Sequence, residues 1–452
     1  MRRDFERFVE RLPQATKDSV RLASILRTQG RARALGEVFG DRLEETRQAA
    51  ASLKEDVLAN LKTLLLRFEG ACEASGTRVH WAFDAAEARQ IVSEIVARRC
   101  GFGDVIVKGK SMATEEIGLN EHLAGLGYQV VETDLGEFVV QITDDTPSHI
   151  VTPIIHKTRF EVAAAFEREG LGNYTESPEE LTLQARNHLR EKFRSAKVGI
   201  SGVNFAIADT GRLVIVENEG NNRLSTTAPD VHIALMGIEK LLPDEESLPE
   251  FLHLRAGSGV GQTLTTYVHF IQGPRRNDET DGPQEVHVVL LDNGRTATLN
   301  SPLRSILRCI RCGACLNACP VYREGSGHAY GHVYSGPLGA IMAPMLGGVE
   351  TYGQLARAST LCGRCESVCP VAIPIPSMLL ELRRQGTDRK LTKSLDWRPF
   401  VVACKRLWIW KSALALLRWA PGLAFGRSGW TKSHRAPEAE GREFRRWWNE
   451  RS

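Results

Sequence analysis

The spacing of hydrophobic positions changes along the chain and divides it into segments with different predicted structures. In residues 1–75, apolar side chains recur at helical intervals between charged ones, as at Leu53, Val57, Leu61 and Leu65. Apolar positions three and four residues apart form one face of an amphipathic helix. We therefore predict a helical lead-in over residues 1–75.

Residues 76–300 follow a different pattern, in which short runs of β-branched residues alternate with helical spacing. Such alternation is typical of an α/β domain with a largely parallel sheet. Residues 209–212 are rich in turn formers and predict a hairpin, whereas 229–242 predict a helix packed on the sheet. The predicted strands are 105–107, 128–132, 149–151, 198–201, 205–208, 213–216 and 285–291.

The composition narrows the class of protein. With 42% hydrophobic and 25% charged residues, the chain is typical of soluble globular proteins. A net charge of +3, from 58 Lys and Arg against 55 Asp and Glu, gives no basic field that would indicate a nucleic-acid partner. We see no export signal and no apolar stretch near 18 residues, so we expect a cytoplasmic protein, with docking on a membrane surface as the second option.

Candidate chemistry is concentrated in the cysteines of residues 301–395. Cys309, Cys312, Cys315 and Cys319-Pro320 are separated by two, two and three residues. This is the spacing of bacterial ferredoxin motifs, in which three thiolates hold one cluster and the fourth reaches a second cluster. The long, helical stretch between this motif and the next predicts an all-α, two-cluster, ferredoxin-like domain over 301–395.

A second motif repeats the frame at Cys362, Cys365 and Cys369, with Ser359 where the first cysteine would fall. If the last cysteines are exchanged, Cys309, Cys312, Cys315 and Cys369 hold one [4Fe-4S] cluster. The other cluster receives Cys319, Cys362 and Cys365. This second site is one thiolate short, so it holds either a [3Fe-4S] cluster or a [4Fe-4S] cluster with Ser359, water, a partner's ligand or a substrate on the last iron.

Zinc is the alternative metal, because Cys312 with Cys315 and Cys362 with Cys365 also have the paired spacing of zinc sites. Zinc needs only four thiolates, however, and does not account for two closing Cys-Pro steps. Iron–sulfur clusters are therefore the better interpretation.

Taken together, these motifs resemble the lactate-utilization protein B family, iron–sulfur proteins of bacterial lactate oxidation that carry a LUD domain. The resemblance covers most of the chain and includes the seven cysteines, the serine at Ser359, and the segments 108–116, 153–159, 217–221 and 320–331. It implies a CoA-transferase and sugar-isomerase-like fold for residues 76–300. It also implies electron transfer during oxidation of L-lactate to pyruvate, within a complex of three proteins.

The α/β domain offers weaker candidates for a catalytic or binding site. Lys108 and Ser111 follow one predicted strand, and Glu217 and Glu219 end another, which is where open α/β sheets place ligands. A helix cap is the structural alternative for the first pair. The glycine-rich run 257–262 does not fit a dinucleotide-binding fingerprint, because no strand leads into it.

Other reactive side chains are interpreted as structural. His149 and His156 lie beside apolar runs and are predicted to be core histidines. Cys72 and Cys100 are predicted to be buried small hydrophobic residues, and Cys404 is either core or an eighth thiolate. Residues 396–452 interleave tryptophans with Lys and Arg, which suits a partner protein or, second, a membrane surface.

Three functional hypotheses follow. The first is an electron-transfer subunit with companion subunits and a membrane or quinone-linked acceptor. The second is an enzyme of oxidoreductase or hydro-lyase type that binds a 2-hydroxy acid at an open iron. The third is an interaction subunit in which the clusters have only a structural role and hold the C-terminal domain to partner subunits.

Overall fold

Four helices form the start of the described chain, as predicted for this segment. They are α1 (Phe5–Arg11), α2 (Gln14–Phe39), α3 (Leu43–Ala59) and α4 (Leu61–Ala74). The computed structural model describes residues 5–389, 398–419 and 444–451. The chain divides into two compact units, Met1–Asp388 and Arg389–Ser452.

A six-stranded parallel sheet forms the centre of the α/β part, which confirms the predicted class of fold. Its strands, in spatial order, are β1 (Arg78–Ala82), β10 (Glu285–Leu291), β7 (Val231–Gly237), β4 (Val198–Gly202), β2 (Val105–Lys108) and β3 (Gln129–Glu132). Hydrophobic clusters cover both faces, so the central strands are buried on two sides.

A smaller sheet lies beside the first and contains the predicted hairpin. Its order is β8 (Leu241–Leu242), β5 (Phe205–Ile207), β6 (Leu213–Glu217) and β9 (Tyr267–Ile271). The pairing of β5 with β6 is antiparallel, which confirms the turn at 209–212. Glu217, at the end of β6, faces Tyr267 across the pairing with β9.

Two predicted elements are wrong. Residues 229–242 do not form a helix, because β7 runs between β4 and β10 and every residue from Val231 to Gly237 is buried. Burial on both faces removes the alternation that would have marked a strand. Residues 149–151 form bends rather than a strand, since the His149 Nδ1 accepts the backbone N–H groups of Val151 and Thr152. Strands β1 and β9 were not predicted.

Nine helices surround these sheets and connect the strands over residues 85–299. They are α5 (Ala85–Ala97), α6 (Met112–Glu116), α7 (Leu119–Gly125), α8 (Leu135–Ile142), α9 (Arg159–Arg168), α10 (Pro178–Ser195), α11 (Asn221–Thr227), α12 (Leu248–Val260) and α13 (Arg295–Leu299).

The cysteine-rich segment is helical over its described residues up to 389. Its helices are α14 (Ala314–Ala318), α15 (Pro320–Gly325), α16 (Gly336–Gly347), α17 (Val349–Tyr352), α18 (Arg364–Ser367) and α19 (Ile375–Asp388). One hydrophobic core joins this segment to α2, α3 and α12 within the first unit, through Leu35, Leu58, Phe251 and Leu316. The predicted boundaries at 75, 300 and 395 stay predictions.

The second unit contains α20 (Arg398–Lys405), α21 (Leu407–Trp419) and α22 (Phe444–Asn449) in its described parts. Its tryptophans Trp408 and Trp448 are exposed. Among the described helices, none combines the length and the apolar character that a bilayer crossing requires.

Candidate metal centre and adjoining cavity

The first cysteine motif folds as a tight turn that leads into α14. Arg311 and Gly313 both have positive φ, 58° and 79°, so two of the five residues 309–313 have left-handed backbone conformations. The Cys309 Sγ accepts a hydrogen bond from the backbone N–H of Arg311 at 3.4 Å. This turn gathers Cys309, Cys312 and Cys315 on one side.

The second motif repeats the same backbone geometry before α18. Leu361 has φ of 55° and Gly363 has φ of 79°, which match the values at Arg311 and Gly313. The Ser359 Oγ accepts a hydrogen bond from the backbone N–H of Leu361 at 3.1 Å. Ser359 thus stands in the second turn where Cys309 stands in the first.

Cysteines of both motifs meet around one small cavity. Cys309, Cys312 and Cys315 line it together with Cys369, which comes from the second motif. The remaining wall is apolar and includes Ile306, Leu338 and Ile375. Burial is the main cause that raises the pKa of the Cys312 thiol to about 12, and the sulfurs of Cys309 and Cys369 add to it.

Cys319, Cys362 and Cys365 form a second group. Burial and the nearby Cys319 and Cys362 raise the pKa of Cys365 to about 12. Cys362 is exposed, and a hydrogen bond from the backbone N–H of Arg364 lowers its pKa. Burial is the main cause that raises the pKa of Cys315, and the thiols of the first group raise it further. Cys365 of the second group raises it too, so the two groups lie next to each other.

The surroundings of both groups fit an iron–sulfur cluster. The Cys369 Sγ accepts the backbone N–H of Ile373 at 3.4 Å, a contact of the kind that tunes cluster potentials. The Tyr330 hydroxyl is buried without a hydrogen-bond partner among the described residues, and it lies near Cys319, Cys315 and Cys365. Such an orphaned donor is costly unless a further acceptor, such as a cluster sulfur, is present.

Arginines hold the second motif and the residues after it in place. From the helical lead-in, Arg47 Nε donates to the carbonyl oxygen of Cys369 at 2.8 Å. Arg308 donates to the carbonyl oxygen of Ala372 at 3.0 Å, and Arg383 donates to that of Ser359 at 3.1 Å. The second motif is therefore anchored by side chains from outside it.

A second, larger cavity of about 220 Å³ lies at the carboxyl ends of β2, β4 and β7. Lys110, Glu219, Lys240 and Arg255 line it, and Cys312 of the first motif forms part of its wall. In open α/β sheets, ligands bind at this edge, where neighbouring strands connect in opposite directions. Here β2 leads outward to β3, whereas β4 leads back to β7.

Comparison with known proteins agrees with this arrangement. Residues 65–291 match the LUD domain family, and residues 305–373 match the 4Fe-4S dicluster domain family. A lactate utilization protein B from Macrococcus caseolyticus is 46% identical, covering 75% of this chain and 71% of its own. One from Bacillus subtilis is 42% identical, covering 84% and 79%.

The chain belongs to the lactate utilization protein B family. It is also 39% identical to the uncharacterized electron transport protein YkgF of Escherichia coli, over 97% of this chain and 96% of that one. These matches support iron–sulfur clusters as the cofactor and an electron-transfer role in lactate use.

In this member of the lactate utilization protein B family, three of the four predicted α/β site residues line the larger cavity: Ser111, Glu217 and Glu219. Lys108 does not. Its Nζ is buried in a structural ion pair, 2.7 Å from Glu132 and 3.0 Å from Glu115.

The other reactive side chains are mostly structural. His149 is buried against Gly313, where an added Cβ would lie 2.9 Å from the imidazole ring. His156 bonds to Asp145 at 3.0 Å. Cys72 and Cys100 are buried in hydrophobic clusters, as predicted. Cys404 is exposed, so it is not core, and its role as a ligand stays untested.

Sequence reasoning missed the cations of the cavity. Lys110 lies two residues after Lys108, and Arg255 lies in α12, two residues before the glycine-rich run 257–262. Gly259 in that helix lets α12 approach the first motif, since an added Cβ would lie 2.7 Å from the carbonyl oxygen of Cys312. Glycines spaced inside a helix are the signal that could have indicated this close packing.

Sequence reasoning also missed a buried ion network between the cavity and the first motif. Arg295 donates to Glu239 at 2.7 Å and forms two bonds of 2.8 Å to Glu116. Arg311 of the cysteine turn donates to Glu239 at 3.2 Å and stacks on Tyr334. Burial disfavours the charged form of Glu239, but the two arginines outweigh it and lower the pKa to about 2.

Proposed function

We propose that this protein is the iron–sulfur electron-transfer subunit of a system that oxidises L-lactate to pyruvate, and that it holds two clusters. The observation that carries the proposal is the cavity lined by Cys309, Cys312, Cys315 and Cys369. Four thiolates from two separated motifs around one small cavity are the ligand set of a [4Fe-4S] cluster. A cluster bound there would accept and release one electron at a time.

For the second group we propose a [4Fe-4S] cluster held by Cys319, Cys362 and Cys365, with the Ser359 hydroxyl as its fourth ligand. The support is the matched turn geometry of Ser359 and Cys309. Ser359 is half-buried, and the hydrogen bond from the backbone N–H of Leu361 holds its oxygen against the turn. A [3Fe-4S] cluster is the alternative outcome if the hydroxyl does not bind.

The two groups differ in exposure, and this difference gives a direction for the electrons. The first group adjoins the α/β cavity through Cys312, and all four of its cysteines are buried or half-buried. The second group includes the exposed Cys362. We infer that electrons enter at the first cluster and leave at the second, towards a companion subunit of the lactate system or a membrane-linked acceptor.

The enzyme hypothesis with an open iron as Lewis acid is less well supported. It needs the substrate cavity to reach the three-cysteine group, but the cavity is lined by Cys312 of the four-cysteine group. The purely structural hypothesis predicts clusters that do not change oxidation state. Reduction of the clusters distinguishes this hypothesis from electron transfer, as in the following experiment.

Anaerobic purification with iron and acid-labile sulfide counting, followed by electron paramagnetic resonance before and after dithionite, tests the proposal. We expect about eight irons and eight sulfides per chain, and reversible signals from two interacting clusters. Zinc without labile sulfide, or iron that does not change on reduction, would contradict it. Reduction by L-lactate is expected only when the companion proteins are added.

A further inference from the structure

Two arginines from different helices lie beside the first cysteine motif and lack a hydrogen-bond partner at Nε. They are Arg31 of α2 and Arg255 of α12, and the Nε of each is buried without a partner among the described residues. A guanidinium is always charged, and burial of its charge is unfavourable unless a negative group lies nearby. Both arginines therefore need a counter-charge.

Close helix packing brings both arginines to the first motif. An added Cβ on Gly259 of α12 would lie 2.7 Å from the carbonyl oxygen of Cys312. Arg255, one helical turn before that glycine, lines the same cavity as Cys312. Helix α2 meets the end of α12 at Gly30, which directly precedes Arg31. The two arginines therefore lie on the helix segments that border the ligands of the first cluster.

The negative charge near these arginines comes from the cysteines of the first group. Burial lowers the pKa of Arg255, and the sulfurs of Cys312 and Cys309 oppose this effect. Burial also lowers the pKa of Arg31, and there the sulfurs of Cys312 and Cys369 oppose it. Within the described residues, no carboxylate is among the charged groups that act on either arginine. The cluster ligands are therefore their counter-charge.

Two other arginines near the first motif have carboxylate partners instead. Arg311 donates to Glu239 at 3.2 Å. Arg47 forms an ion pair with Glu44 of its own helix. The protein itself compensates these two charges, whether or not a cluster is bound. The two unpaired arginines differ in this respect, because their compensation depends on the charge of the first cluster.

We propose that Arg31 and Arg255 are the counter-cations of the first cluster and that they raise its reduction potential. The inference rests on the proposed function, because it requires the first cluster to be present. Thiols that bind a metal lose their protons, and reduction adds a further negative charge to the cluster. Buried cations stabilise that added charge, since net charge and surroundings set the potential. A raised potential lets the first cluster accept electrons from a weak reductant, as the cluster at which electrons enter must do.

Anaerobic redox titration of the cluster-loaded protein, followed by electron paramagnetic resonance, tests this inference. Arg255→Gln and Arg31→Gln are each expected to shift the reduction equilibrium of the first cluster at least tenfold towards the oxidised state. For one electron, a tenfold shift is a fall of about 59 mV. Arg255→Lys keeps the positive charge, so we expect it to retain more than half of the wild-type effect. The second cluster is an internal control, because none of its cysteines acts on either arginine within the described residues.

Arg33→Gln is the matched control, because Arg33 is an exposed residue of α2 two positions after Arg31. Iron counts and melting temperatures show which variants are folded and loaded, and if Arg255→Gln does not load, the potential of Arg31→Gln decides. Loaded Gln variants with the wild-type potential would overturn the inference and leave the electron-transfer proposal standing. An equal fall for Arg255→Lys and Arg255→Gln would overturn it too, because charge would then not be the cause. Failure of the wild type to load clusters would instead reject the proposed function.

Discussion

The oxygen of Ser359 and the sulfur of Cys309 occupy corresponding positions in two copies of one backbone turn. Each accepts the amide N–H of the residue two positions later, at 3.1 Å from Leu361 and 3.4 Å from Arg311. The residue that donates has positive φ in both turns. The second turn therefore has the backbone geometry of the first, with the oxygen of Ser359 at the place of the Cys309 sulfur.

Exchange of Ser359 tests whether the hydroxyl binds iron. Ser359→Ala removes the oxygen, so we expect about one iron fewer per chain and a [3Fe-4S] signal after oxidation. Ser359→Cys supplies a softer thiolate, and we expect all irons to be kept and slower loss to a chelator. Ser367→Ala, at an exposed position of α18, is the control. Equal iron counts and spectra for the wild type, Ser359→Ala and Ser359→Cys would show that the hydroxyl is not a ligand.

The exchange of cysteines between motifs is tested by Cys369→Ala. Although Cys369 lies in the second motif, it lines the cavity of the first, so its loss is expected to damage the cluster of Cys309, Cys312 and Cys315. Cys319→Ala should damage the other cluster. Paramagnetic resonance distinguishes the two, and Cys100→Ala, in the α/β core, should change neither. If Cys369→Ala spares the first cluster, the ligands are not exchanged.

Gly259→Ala is expected to disturb the first cluster from outside the cysteine motifs. An added Cβ would lie 2.7 Å from the carbonyl oxygen of Cys312, so α12 or the ligand turn must shift. Gly70→Ala in α4 meets no atom within 4 Å and should stabilise the protein by about 0.5–1 kcal/mol. Iron content and thermal unfolding compare the two. A fully loaded Gly259→Ala protein of normal stability would contradict the close packing of α12.

Removal of the Glu239 carboxylate is expected to lower stability strongly. Glu239→Ala leaves Arg295 and Arg311 without one of their buried partners, and breaking a buried pair typically costs about 3–5 kcal/mol. The control Glu37→Ala, at an exposed position of α2, should lower the free energy of unfolding by less than about 0.5 kcal/mol. Denaturant unfolding under anaerobic conditions measures both. A cost below about 1 kcal/mol at Glu239 would show that the network contributes little.

Local spacing was enough to predict the helical lead-in, most of the strands and the cysteine frame. Turns, strands and ligand motifs are set by residues within a few positions of each other, so they can be recognised one segment at a time. The shortage of one thiolate at Ser359 was also evident from the sequence. The crossed arrangement was predicted, and the structure brings Cys369 to the first motif.

Tertiary structure alone decided which lysine faces the cavity. Lys108 lies at the end of β2 and is paired with Glu132 of β3, whereas the Nζ of Lys110, just after the strand, has no hydrogen-bond partner among the described residues. The approach of α12 to Cys312 and the pairing of Glu239 with Arg311 likewise join residues more than fifty positions apart. Such contacts depend on how the sheet and the helices pack against each other. Burial on both faces also removes the alternation of apolar and polar residues by which a strand is recognised in a sequence, as it did at β7.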